Sequence, residues 1–286
     1  MRLISTRAGL FLALCFAVAA PLRAQSAADI LKKVSDRYSD AIAKIDNMEM
    51  VMRPEGAFAA FDKMTTYYEK TGGKEGFRSR SVFEGGMAEM MNAAAESAAP
   101  PDMLSMNASM FEKLSDTATL VGKEEMDGIA TFVLSVDDLQ PLMEDLSTGN
   151  ALSQSAETVY GKGTLYIDAK EYVLRRMSFS IEVEPQPGAG KRNMDMEMTM
   201  SDFKTVGPLY YPHRMTTVMD NPMSAEERAE MQAQRMQIEA MLDQVPEAQR
   251  ASLRKMLDAM GGNDITTVMV TESLKVNEGI PAGVFD

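Results

Sequence analysis

The sequence contains no tryptophan, one histidine and one cysteine among its 286 residues. The cysteine, Cys15, lies within an N-terminal apolar run, and His213 has no second histidine with which to share a metal ion. These shortages exclude a disulfide within the chain and the usual zinc ligand sets. We therefore expect stability to come from packing alone, and we predict neither an enzyme, a metal site nor a cofactor.

The first 24 residues have the layout of a secretory signal peptide. Two arginines precede an apolar run at residues 8–20, which is shorter than the roughly 20 residues of a membrane-spanning helix. We predict cleavage after Ala24, and no lipid anchor, because the residue before Cys15 is too bulky for a lipidation signal. Residues 25–286 are then expected to form one domain in the periplasm.

Negative charge dominates the chain, with 42 acidic against 29 basic residues and a formal net charge of −13. The predicted leader carries three arginines and no acid, so its removal lowers the charge by three, from −13 to −16. Nucleic acids and anionic membrane surfaces attract basic faces. The charge therefore argues against both as partners.

Methionine is abundant, with 27 residues, and many of these alternate with polar residues at the period of a β-strand. One such strand is predicted at residues 192–201, with apolar positions Met194, Met196, Met198 and Met200. Residues 173–183 show the same alternation. A slip of one residue would move the apolar side chains of either strand from the buried face to the face exposed to water. Burial should therefore fix the register of both strands.

The remaining patterns predict an α+β fold. A helix capped by Ser26 should extend to Ile45, with further short helices within 85–115 and 137–150 and a helical-hairpin insert at 224–262 that forms a lid. The strand following Asn47 should end at Arg53 and Pro54. The other strands are predicted at residues 64–68, 77–83, 117–126, 129–136, 157–168, 172–184, 209–219 and 265–276.

Four strings, at residues 163–168, 200–214, 272–277 and 279–285, resemble the LolA/LolB-like superfamily of periplasmic lipoprotein carriers. This chain is longer than the prototype carriers and differs from them in the insert. The resemblance implies a curved, antiparallel, incomplete β-barrel wrapped over helices, with a hydrophobic cavity for acyl chains. Arg78 and Arg80 lie in the region of the family's mouth arginine, and we assign neither to it.

Inward-facing apolar residues are the candidate cavity lining. They are Met48, Met50, Met52, Met64, Phe77, Met177, Phe179, Ile181, Met194, Met196, Met198, Met200, Met215, Met241 and Met256. Three interpretations of the methionines remain open: ordinary core, an adaptable surface that repacks around apolar ligands, or thioether ligands for Cu(I). The first two are compatible with each other.

The resemblance implies a non-enzymatic carrier of lipid or lipoprotein acyl chains, engaged in outer-membrane lipoprotein sorting with membrane-bound donor and acceptor proteins. The alternatives are an envelope-stress sensor or protein-interaction module on the same fold, and a methionine-rich Cu(I)-binding protein. We interpret His213 as structural. Asp195 and Glu197 are interpreted as part of a solvated strand face rather than a cation site.

Overall fold

A computed structural model describes residues 25–56, 61–71, 76–85, 88, 92, 110–139, 157–184, 192–220, 225–242, 250, 254, 257 and 264–285. Its strands are β1 (Asn47–Gly56), β2 (Lys63–Lys70), β3 (Phe77–Glu84), β4 (Ala118–Met126), β5 (Ile129–Val136), β6 (Glu157–Asp168), β7 (Leu174–Glu184), β8 (Arg192–Val206), β9 (Leu209–Asp220) and β10 (Asp264–Val276). They form one antiparallel sheet in the order β3-β2-β1-β10-β9-β8-β7-β6-β5-β4. The sheet is open, with β3 and β4 at its two edges.

Helix α1 (Ala27–Ile42) crosses one face of this sheet. It begins with a capping box in which the Ser26 hydroxyl accepts from the Asp29 N–H and the Asp29 carboxylate accepts from the Ser26 N–H. Its 16 residues span about 24 Å, close to five strand spacings. The helix ends before the predicted Ile45, which is buried in the link to β1.

Two hydrophobic clusters lie on the face that α1 covers, which we call the inner face. The first cluster joins α1 to β5, β6 and β7, and its fully buried members include Ile30, Leu31, Val34, Leu134, Leu165 and Ile167. The second cluster joins the end of α1 to β1, β2 and β10, and its buried members include Ala41, Ile45, Met48, Met50, Met52 and Leu274. The helix thus ties together two separate parts of the sheet.

The strand register confirms the predicted alternation for residues 177–183 and 192–201, whereas a register shift at Arg175 interrupts it between Val173 and Met177. The cross-strand partners on the inner face are Ile181 with Met194, Phe179 with Met196, and Met177 with Met198. The row continues into β9, where Met196 pairs with Met219 and Met200 with Met215. Three neighbouring strands, β7, β8 and β9, therefore present their apolar side chains to the same side.

The predicted end of β1 at Arg53 and Pro54 is wrong, because the strand continues to Gly56. Its pairing with β2 stops at Met52, while its pairing with β10 includes Pro54 opposite Met269. Beyond Met52 the strand is therefore unpaired on the β2 side. A proline, which has no N–H to donate, is tolerated at such an edge.

Two other strand bounds also differ from the prediction. β7 begins at Leu174 rather than Tyr172, because Tyr172 has a φ of +50° and the register shifts between Tyr166 and Ile167. β8 continues past Ser201 to Val206. Asp202 has a φ of +51°, but the residues on both sides of it keep the same register with β9, so the strand continues through it with its alternation unchanged.

Of the predicted insert, the structure describes helix α2 (Ala225–Met241), Leu242, and residues 250, 254 and 257, which are also helical. Leu242 and Leu257 are buried, whereas Met236 is exposed. The rest of the insert, the leader and most of the short helices predicted within 85–115 and 137–150 lie outside the described residues. In the described part of the chain, no helix is long and apolar enough to cross a membrane.

Candidate ligand-binding face

An apolar strip occupies the inner face between the two hydrophobic clusters. This central methionine strip consists of Met194, Met196, Met198 and Met200 on β8, Met215 and Met219 on β9, and Ile265 and Met269 on β10. All eight side chains are half-buried, whereas the residues that form the two clusters are buried. Met196 and Met200 pack against the first cluster, and Met215 and Met269 pack against the second. The middle of the sheet therefore carries apolar surface that is only partly covered.

The structure brings the predicted cavity residues together on this face. The buried members are Met48, Met50, Met52, Phe77, Phe179 and Ile181, and the half-buried members are Met64, Met177, Met194, Met196, Met198, Met200 and Met215. Met256 and the side chain of Met241 lie outside the described residues. The buried members are part of the core, whereas the half-buried ones keep part of their side-chain surface exposed.

Gly163 on β6 permits close packing beside the strip. It pairs with Phe179, and a Cβ atom placed on it would lie 2.8 Å from Cδ1 of that ring and 3.0 Å from the Ser178 carbonyl oxygen. Any side chain here would displace the aromatic ring. The glycine is therefore required for the ring of Phe179 to lie against the sheet.

Tyr38, Tyr211 and His213 are among the polar side chains on the inner face. Burial raises the pKa of Tyr38 on α1 to about 12, and it raises the pKa of Tyr211 on β9 still further above the usual range. Both phenols are therefore neutral at physiological pH. His213 on β9 is buried, and its Nδ1 lies 3.0 Å from the carbonyl oxygen of Thr271 on β10.

A groove of about 410 Å³ lies between α1 and the turns that precede β7 and β9. Lys33 donates a hydrogen bond to the hydroxyl of Tyr172 at 3.1 Å, and Arg37 pairs with Glu171 at 3.1 Å. Hydrogen bonds from Gln25 and Lys33 lower the pKa of the Tyr172 phenol. Sequence reasoning missed this groove, since no pattern marks Tyr172 as a non-glycine residue with positive φ.

A buried ion pair fixes the same end of the sheet. Asp168 at the end of β6 accepts from the N–H groups of Lys170 and Glu171 at 2.9 and 2.8 Å, and from Nε and Nη2 of Arg175 at 3.1 and 2.7 Å. The guanidinium also lies over the ring of Phe203, 4.1 Å from its centroid. Burial alone would raise the Asp168 pKa, but these hydrogen bonds outweigh it and hold the pKa below its usual range.

The outer face is polar. Asp195 and Glu197 are exposed there and border a groove of about 550 Å³. Oε2 of Glu197 lies 3.8 Å from Nη1 of Arg176, and no group of three or more metal-ligating side chains occurs among the described residues.

Arg78 and Arg80 also lie on the outer face, where Arg78 stacks on Phe285 and Arg80 donates a hydrogen bond to the Val284 carbonyl. Both arginines hold the C-terminal segment.

Comparison with known proteins gives matches among solved structures only: no protein-family model and no curated protein matches the chain. A DUF1329 family protein from Desulfovibrio piger is 12% identical, with 90% of this chain and 95% of that chain covered and a TM-score of 0.41. An outer membrane lipoprotein-sorting protein domain from Vibrio parahaemolyticus is 11% identical, with 89% and 95% covered and a TM-score of 0.41. A LolA superfamily protein from Nitrosomonas europaea is 10% identical, with 89% and 96% covered and a TM-score of 0.35. The superfamily that the sequence resembles is thus among the structures to which the chain is similar.

Proposed function

We propose that this protein is a non-enzymatic carrier that shelters a lipid, or the acyl chains of a lipoprotein, on the inner face of its sheet. The central methionine strip is the observation that supports the proposal. It places eight apolar side chains side by side on β8, β9 and β10 and leaves them half-buried. A protein that needed this face only as core would cover it as completely as the two clusters beside it.

The chemistry of the strip suits a variable hydrocarbon ligand. Methionine side chains are unbranched and polarizable, so they repack around chains of different shape. Each methylene group that leaves water contributes about 0.8 kcal/mol, so a segment of ten methylenes could contribute on the order of 8 kcal/mol before ordering costs. No covalent chemistry is needed for such binding or release.

The proposed location is the periplasm, and the proposed partners are a membrane-bound donor and acceptor of the lipid. The layout of residues 1–24 supports export, and an intact mass that lacks them would establish it. The acidic charge of the rest of the chain suits a carrier that does not adhere to anionic lipid surfaces.

The test is organic extraction of protein purified without detergent, followed by mass spectrometry and by titration of the delipidated protein with a fluorescent fatty acid. We expect co-purified lipid and saturable binding. Met198→Gln should weaken binding about tenfold, because an amide would lie against hydrocarbon without a hydrogen-bond partner. Thr199→Gln, on the same strand but facing outward, is the matched control and should bind as wild type does.

Absence of both lipid and saturable binding would contradict the proposal. The fold would then serve as a protein-interaction module with a packed inner face. Equal loss in the Met198 and Thr199 variants would also contradict it, because it would separate binding from the inner face.

A further inference from the structure

Two buried polar atoms on the inner face have no hydrogen-bond partner within the part of the chain that the structure describes. They are Nε2 of His213 and Oγ1 of Thr271. The residues are only 7% and 4% exposed. Since about nine in ten buried polar groups in proteins are hydrogen-bonded, this pair calls for an explanation.

The two residues lie side by side in the methionine-rich half of the sheet. Met269 pairs with Met215 and the next residue of β10 pairs with Arg214, so Thr271 and His213 follow as neighbours on adjacent strands. Thr271 also lies opposite Met52 of β1. The nearest inward-facing neighbours along the strands are Met215 and Met269 on one side and Tyr211 on the other, and the phenol of Tyr211 is neutral.

The hydrogen-bonding roles of the two atoms follow from their surroundings. A backbone carbonyl oxygen can only accept, so His213 Nδ1, at 3.0 Å from the Thr271 oxygen, carries the proton and donates. In the neutral imidazole Nε2 is then an acceptor, whereas the Thr271 hydroxyl can donate or accept. Together they complement a group that both donates and accepts.

We propose that His213 and Thr271 recognise the hydroxyl group of an apolar alcohol bound on the inner face. The ligand's O–H would donate to Nε2 of His213, and its oxygen would accept from Oγ1 of Thr271. An ether or ester oxygen only accepts and leaves Nε2 unpaired, and a carboxylate also brings an uncompensated charge into an apolar wall. This inference rests on the proposed function and names the ligand class as hydroxylated lipids.

The test compares two isomers of equal size, 1-dodecanol and methyl undecyl ether, as competitors for a fluorescent fatty acid on the delipidated mature protein. We expect the alcohol to bind at least about tenfold more tightly. Thr271→Val removes the hydroxyl at nearly constant volume, and this variant should bind 1-dodecanol and the ether about equally tightly. Thr217→Val, half-buried on the same face of β9, should keep the preference.

A second measurement does not depend on how well the variant folds. His213 is the only histidine, so ¹⁵N labelling of histidine gives a single imidazole with two nitrogen signals. We expect the protonated nitrogen to be Nδ1, and we expect the Nε2 signal to shift when dodecanol is added and to stay fixed when the ether is added.

The outcomes separate the two proposals. If neither isomer displaces the probe and the protein carries no lipid, the carrier function itself is wrong. If both isomers bind equally, or if the preference survives Thr271→Val in folded protein, or if Nε2 does not respond to the alcohol, only the recognition of a hydroxyl group is wrong.

Discussion

Removal of the Asp168 charge should be among the most destabilising single changes in the sheet. The carboxylate side chain is 3% exposed, that of Arg175 is 9% exposed, and four hydrogen bonds meet on the carboxylate. Asp168→Asn keeps the shape but removes the negative charge beside a buried guanidinium, and the Tyr210 hydroxyl at 3.5 Å cannot replace that charge. Breaking one partner of a buried ion pair costs about 3–5 kcal/mol, so we expect about 3 kcal/mol.

The assay is urea unfolding followed by circular dichroism, with Asp36→Asn as the matched control. Asp36 forms an exposed ion pair with Lys32 at 2.8 Å, and such a pair contributes little to stability because water solvates both charges. A loss for Asp168→Asn no larger than that for Asp36→Asn would refute the view that the ion pair holds this end of the sheet.

The same variant should reveal a pH dependence. A carboxyl whose pKa is lowered by folding stabilises the protein above its unfolded pKa of about 3.9, and this contribution disappears as pH falls through the folded pKa. The stability difference between wild type and Asp168→Asn should therefore be full at pH 6 and shrink below about pH 4. A constant difference from pH 6 to pH 3 would show that the charge is not responsible.

Three further predictions concern the inner face and its cover. Gly163→Ala should lower the free energy of unfolding in urea by about 1–3 kcal/mol, because the new Cβ displaces Phe179. Gly122→Ala, with nothing within 4 Å of the new Cβ, should change stability little. Equal effects of the two substitutions would contradict the close packing at Gly163. The double variant Met196→Leu and Met198→Leu should unfold with nearly the same free energy as wild type, and neither protein should bind Cu(I) tightly. Tight stoichiometric Cu(I) binding by wild type that is lost in the double variant would show that the methionines are ligands. Replacement of 224–262 by a short Gly-Ser turn should leave the sheet folded but abolish retention of a fluorescent fatty acid; unchanged retention would refute the lid, and an unfolded sheet would show that the insert is core.

Most of the sheet could be predicted from the sequence because one face of each strand is buried. β5 and β6 have the predicted bounds, and the turn at Asp127 and Gly128 has positive φ at both residues, as expected of a two-residue hairpin. The grouping of the methionines on one face follows from the same period of two. These features depend on local pattern, which the sequence displays directly.

The remaining features depend on contacts between distant residues. Pro54 is tolerated in β1 because the pairing with β2 ends at Met52. β8 continues to Val206 because its register with β9 stays the same on both sides of Asp202, despite the positive φ there. Arg175 sits at a position that would be apolar in a regular strand, and it is buried because Asp168 lies beside it. Whether a methionine is core or half-buried likewise depends on the arrangement of α1 and the two clusters. Sequence period carries no information on these points.

The most direct test of the carrier function is photo-crosslinking with a fatty acid that bears a diazirine near its methyl end, followed by peptide mass spectrometry. We predict that the labelled residues fall in the central methionine strip, above all on Met196, Met198 and Met215, and that excess unlabelled fatty acid suppresses the labelling. Labelling confined to the outer face around Asp195 and Glu197, or labelling that excess ligand does not reduce, would contradict the account.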